Sequence, residues 1–144
     1  MLTQMTFRLW DILENRAIVI RHLGFWEDGE LWYLQAEDEY GDMIDPPYFE
    51  DTLGKEWALM PWTGKEDTQG VKIWKDSIVK IENHPFQKRE SSDVGIKIED
   101  TYVISWNEEE MTWCAGKFLL SRVLPYVRVI GNIYENSELL EESE

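Results

Sequence analysis

The stretch "TYVISWNEEEMTWCA" (residues 101–115) decides what kind of fold this chain makes. "TYVISW" (101–106) reads with a period of two, which sends successive side chains to opposite faces of a strand. "NEEE" (107–110) turns the chain, and "MTWCA" (111–115) returns as a second strand. Outward from this hairpin the pattern recurs. "VKIW" (71–74), "SIVKIEN" (77–83), "VGIKIE" (94–99) and "VRVIGNIY" (127–134) are further short alternating segments between polar turns. "KFLLSRVL" (117–124) is an apolar helix-like run of at most two turns, stopped by Pro125. Short strands with one short helical piece predict a mainly β fold, a small barrel or sandwich.

The N-terminal half follows the same logic. "TFRLW" (6–10), "RAIVIRHL" (16–23) and "LWYLQA" (31–36) are strands, with "DILEN" and the Asp28-Gly29 turn between them. They predict a β-meander. Residues 37–55 form a long loop containing Pro46-Pro47, and "ALMPW" (58–62) is a strand with Pro61 near an edge or bulge. "TGKEDTQG" (63–70) is dense in turn residues. The expected layout is an N-terminal β subdomain with an acidic loop (1–62), a small β-barrel (63–136) and an acidic tail (137–144).

The chain has 144 residues, enough for one domain or two small subdomains. No run of about 18 apolar residues is present, so no membrane partner is expected. "MLTQMTFRLWDILENR" lacks a basic segment followed by an apolar one, so no secretory signal is expected. Cys114 is the single cysteine; it excludes an intramolecular disulfide and suits the cytoplasm.

The formal net charge is −15, which argues against the whole protein binding nucleic acid. Residues 27–51 hold ten acids and no Lys or Arg. Residues 70–98 hold six bases (Lys72, Lys75, Lys80, Lys88, Arg89, Lys97) against four acids. A contact between copies could use this asymmetry; solvated surface that keeps the protein soluble is the preferred reading.

Catalytic signatures are absent. There is no G-x-S-x-G, no phosphate-binding G-x-x-x-x-G-K-[ST] and no H-E-x-x-H. His22 falls in a strand and His84 in a loop, neither with an evident partner. The acids Glu37, Asp38, Glu39, Asp42 and Asp45 do not have calcium-loop spacing, so no metal and no cofactor are expected. Cys114, between Trp113 and Ala115, reads as a buried inert thiol.

Eight tryptophans is a high count, and a stacking platform for single-stranded nucleic acid is one use for them. The candidate binding residues are Trp74, Tyr102 and Trp106 with Lys72, Lys80 and Lys97. Core packing accounts for the same aromatics, because alternating strands bury every second residue.

Two phrases, "MPWTGKEDTQGVKIWKDSIVKI" (60–81) and "VIGNIYENSELLEE" (129–142), together resemble the YopX family of phage and prophage proteins. That family shows aromatic-Thr-Gly-Leu-x-Asp, then Gly-Lys-x-Ile-aromatic-Glu-Gly-Asp-Ile-Val, and ends in Val-Ile-Gly-Asn-Ile-aromatic-Glu-Asn-Pro-Glu-Leu-Leu. "FRLWD" (7–11) resembles its opening. Here Lys65 stands for the leucine, Lys75-Asp76-Ser77 for Glu-Gly-Asp, and Ser137 for the proline. The lost glycine leaves the turn geometry open. The resemblance implies a mainly β protein with a C-terminal barrel like Src-homology-3 folds, made inside a bacterium from a phage or prophage. The family carries no assigned molecular function.

The expectation is therefore a non-enzymatic accessory protein that binds a host protein or itself, with homo-oligomers possible. Direct nucleic-acid binding through residues 70–98 and the barrel aromatics is the alternative. "GNIYEN" (131–136) reads as structure, with Gly131 allowing a bulge or a close approach and Ser137-Glu138 leading into a helical turn.

Overall fold

The computed structural model describes residues 7–37, 40–42, 52–88 and 95–141. The chain divides into two compact units, Met1–Pro61 and Trp62–Glu144.

In the first unit, β1 (Phe7–Asp11), β2 (Arg16–Phe25), β3 (Leu31–Glu37) and the start of β4 (Trp57–Glu66) pair antiparallel in the order β3-β2-β1-β4. The meander is thus extended by β4 beside β1. Asp11 is buried because its Oδ1 accepts the Glu14 N–H at 3.0 Å, closing the turn in which Asn15 is left-handed. Gly29, at φ 93°, makes the β2–β3 turn, and Asp28 Oδ1 accepts the Glu30 N–H at 3.0 Å. Leu9, Trp57 and Met60 are fully buried.

In the second unit, the end of β4 pairs with β5 (Lys72–Trp74), Trp62 opposite Trp74 and Glu66 opposite Lys72. The remaining strands are β6 (Ser77–Ile81), β7 (Thr101–Asn107), β8 (Thr112–Ala115), β9 (Phe118–Leu119) and β10 (Val127–Asn132). They form an antiparallel sheet in the order β10-β6-β7-β8-β9, curled as a half-barrel. A short helix, α1 (Leu120–Val123), continues into a 3-10 turn (Leu124–Tyr126), and α2 (Glu138–Glu141) is the expected terminal turn. Val79, Ile81, Ile104 and Val127 are fully buried against Leu120 and Val123 of α1. Each such side chain contributes roughly 1.5–3 kcal/mol by leaving water.

Three segments differ from expectation, each for a local reason. β4 runs on to Glu66 through the expected turn, because a register irregularity between Trp62 and Glu66 accommodates Gly64 at φ 88°. The expected strand at 94–99 does not form over its described part: β6 and β7 already have neighbours on both sides. The Ile98 and Glu99 N–H groups instead donate to Gln87 Oε1, at 2.7 and 2.6 Å. The expected helix starts late, because Gly116-Lys117 makes a two-residue hairpin that pairs Ala115 with Phe118 and Cys114 with Leu119. Asp38, Glu39, Asp45, Pro46, Pro47, Arg89 and Val94 lie outside the described residues. Among the described residues, no helix is long and apolar enough to cross a membrane.

Candidate functional site

The two sequence phrases at 60–81 and 129–142 meet in the second unit and lock its last strand in place. Asp67 is buried at the turn after β4. Its Oδ1 accepts the Gln69 and Val71 N–H groups and its Oδ2 accepts the Val129 N–H, each at 2.8 Å. Burial raises the Asp67 carboxyl, but the N–H groups of Val129, Val71 and Gln69 and the Arg128 charge outweigh it. The group titrates below its ordinary value.

Asp76 closes a second tie. It takes φ 69°, the left-handed conformation that a glycine adopts freely, so this turn keeps its geometry with an aspartate. The Asp76 carbonyl accepts the Ile133 N–H at 3.1 Å, and its Oδ2 accepts the Tyr134 hydroxyl at 2.8 Å. Burial, then the bond to Asp76 and the Asp76 charge, hold the Tyr134 phenol well above its usual range. Ser77 Oγ accepts the Trp74 N–H at 3.0 Å. Asn132 Oδ1 accepts the Tyr134 and Glu135 N–H groups, both at 2.9 Å. The Asn136 side chain occupies the space where Gly131 lacks a Cβ, beside the β-bulge between Val129 and Gly131. "GNIYEN" is thus a clasp made of hydrogen bonds.

The sequence candidates for binding separate into groups. Lys72 and Trp74 come together, and they recruit Trp62. Lys72 Nζ lies 4.8 Å from the Trp62 ring centroid and 5.9 Å from that of Trp74. Tyr102 faces the core: its ring meets Phe118 edge-on at 5.6 Å, and its hydroxyl donates to the Ile98 carbonyl at 2.7 Å. Burial, with the Asp100 charge, raises its phenol. Lys80 lies on the opposite face from Tyr102, because Tyr102 is paired with Val79, its neighbour along β6. Lys97 Nζ is 3.5 Å from Asp100 Oδ2. Trp106, at the far end of β7, packs on Trp113 at 5.3 Å and is 46% exposed.

A cleft of about 640 Å³ opens on the Lys80 face, between Glu82, Asn83, Asp100 and Thr101, with Leu139 of α2 at its edge. Glu82, Glu99, Asp100 and Lys80 are the charged residues lining it. Glu82 accepts from Arg128 at 2.9 Å and lies 3.8 Å from Lys80 Nζ; the Arg128 bond, outweighing burial, lowers the Glu82 carboxyl. His84 and Cys114, two residues suited to chemistry, are buried. His84 is buried, its Nδ1 accepts the Phe86 N–H at 3.1 Å, and its ring packs on Tyr126 at 4.6 Å. Cys114 is buried in β8. His22 is exposed on β2. Among the described residues, no group of three or more His, Cys, Asp or Glu is placed to hold a metal ion.

What the second unit does display is apolar surface at both ends of β7. Trp106 and Met111 (77% exposed) flank the β7–β8 turn beside the exposed Glu108, Glu109 and Glu110. Beyond the start of β7, Phe86 (69%) and Ile96 (57%) stand out from two segments joined by backbone hydrogen bonds. Sequence reading missed Trp62, Phe86, Ile96, Met111 and Arg128. A helpful signal for Met111 was its place directly after three glutamates in a turn.

The fold defines a class: a two-unit β protein whose C-terminal half-barrel is clasped by its own last strand. Residues 6–141 match the profile of the family described as YopX protein, and the chain belongs to that family. No curated protein matches it. Among solved structures it is similar to the crystal structure of protein EF1440 from Enterococcus faecalis, at 22% identity and a TM-score of 0.58. That match covers 95% of this chain and 98% of the other, and it concerns the fold.

Proposed function

We propose that this chain is a phage- or prophage-encoded accessory protein of the bacterial cytoplasm that acts by binding, to a host protein or to its own copies, and not by catalysis. The half-barrel serves as a small Src-homology-3-like scaffold in this reading. One observation carries it: large apolar side chains stand exposed at both ends of β7, while Asp67, Asp76, His84, Asn132 and Tyr134 are engaged in holding the fold. Contiguous exposed apolar surface rimmed by polar residues is a mark of contact surfaces. The net charge of −15 favours a basic partner surface.

The test has two arms: sedimentation of the pure protein, and capture from bacterial host lysate on the immobilised protein. The reading expects assembly, or a retained partner that is lost with Trp106→Ala. A monomer that retains nothing above background contradicts it. Nucleic-acid binding is the second reading, favoured by the Lys72 ammonium held between Trp62 and Trp74. It expects single-stranded DNA to quench tryptophan fluorescence with an affinity that falls steeply with salt, and Lys72→Ala to abolish the effect.

A further inference from the structure

We propose that the tip of the β7–β8 hairpin is a docking surface for a basic protein, and that it takes an arginine set beside an apolar side chain. The inference rests on the binding reading above and names its site and the chemistry of its partner. Ile104 faces Ala115 across the hairpin, and both are fully buried. Two residues further out, on the same face, Trp106 faces Trp113. The apolar row therefore runs on past the core and ends in a pair of indoles 5.3 Å apart, of which Trp106 is 46% exposed. Met111, 77% exposed, adds an apolar side chain at the turn.

The charge around these groups is of one sign. Glu108, Glu109 and Glu110 are exposed, and among the described residues none of the three is joined to a base. Elsewhere in the unit, Asp76 is paired with Lys75, Glu82 with Arg128 and Asp100 with Lys97. The tip thus sets an aromatic pair beside carboxylates that the fold leaves uncompensated. Asn107 Oδ1 accepts the Glu110 N–H at 3.0 Å and holds the turn that carries them. A guanidinium answers both features, since it stacks on an indole and forms paired hydrogen bonds with a carboxylate. An adjoining apolar side chain covers Met111. The same charges decide against two other occupants. Nucleic-acid phosphate is repelled by the three carboxylates. A second copy brings a net charge of −15 of its own.

The probe is a fluorescein-labelled peptide of alternating arginine and leucine, titrated with the native chain and read by anisotropy; circular dichroism checks that every variant keeps the fold. Binding should weaken as salt rises. A variant carrying Glu108→Gln, Glu109→Gln and Glu110→Gln should bind roughly tenfold or more weakly. Trp106→Ala should weaken binding too, and Met111→Asn should weaken it while leaving the melting temperature unchanged or higher. A peptide of alternating arginine and glycine should bind the native chain less tightly than the leucine form. Glu14→Gln, Glu27→Gln and Glu30→Gln together remove the same charge from exposed positions of the first unit. That control should stay within about twofold of the native chain, because the effect is local. A native chain that ignores the peptide, tip variants that bind like the native chain, or a control that loses as much as the tip variant overturns the proposal. If the tip is inert but the native chain still captures a host protein or assembles, this contact falls and the binding reading stands; if it does neither, both fall.

Discussion

The clasp around β10 and the tip of the β7–β8 hairpin lie in the same unit and are built on opposite terms. In the clasp, polar side chains are buried and each is satisfied: Asp67 accepts three N–H groups, Asn132 two, and Asp76 a tyrosine hydroxyl. At the tip, large apolar side chains are left in water and the backbone of Met111 is held in an unfavourable conformation. Buried polar groups are costly unless paired, so the clasp explains itself as structure. At the tip Trp106 still packs on Trp113, while Met111 stands exposed, and the binding reading proposed above assigns that exposed surface to a contact. The difference teaches that the residues most recognisable in this sequence are structural, and that the surface residues carrying the functional proposal form no motif.

Substitutions in the two regions should separate accordingly. Asp67→Ala has the largest expected effect, a loss of about 3 kcal/mol, because it strands N–H groups that one carboxylate satisfied. Urea denaturation measures it. The carboxyl also gives the clasp a pH signature. Its folded value lies below the unfolded one, so its stabilisation is complete above the unfolded value of about 4 and is lost as pH falls through the folded value. Asp67→Asn should therefore trail the native protein at pH 7 and close that gap in acid.

Gly131→Ala should cost about 2 kcal/mol, because a Cβ there collides with the Asn136 side chain. Tyr134→Phe should cost about 1–2 kcal/mol by removing the hydroxyl from Asp76, with thermal unfolding as the readout. At the tip, Met111→Asn should change stability by less than about 0.5 kcal/mol, since the side chain is exposed and asparagine tolerates the left-handed conformation. If Met111→Asn destabilised the chain as much as Gly131→Ala, the contrast between clasp and tip would fail.

Strand positions were legible because period-two alternation in "TYVISW" and its neighbours follows directly from one face being buried. The segment 94–99 misled for the same reason. It alternates as a strand does, but its Ile98 and Glu99 N–H groups are taken by the Gln87 side chain, a contact that local pattern does not encode. The helix at 117–124 lost its start to a two-residue hairpin because Gly116 takes φ 58° under the Tyr102 ring. The role of "GNIYEN" as structure was legible in Gly131. Its partners were not, since Asp76 lies 58 residues from Tyr134 in the chain. Of the proposed platform, Lys72 and Trp74 meet because they share one short strand, whereas Lys80 and Tyr102 fall on opposite faces through a register that sequence alone leaves open. Phe86 and Ile96 left no mark in the sequence, as an apolar residue in a polar loop reads the same whether it is buried or displayed.

The most direct test of this division of labour sets Gly131→Ala beside Met111→Asn, each measured for melting temperature and for affinity towards the arginine–leucine peptide. The account predicts that Gly131→Ala lowers the melting temperature yet binds the peptide like the native chain wherever it is folded. It predicts that Met111→Asn melts no lower than the native chain and binds more weakly. Unchanged binding in Met111→Asn, or a loss of binding in folded Gly131→Ala, would contradict it.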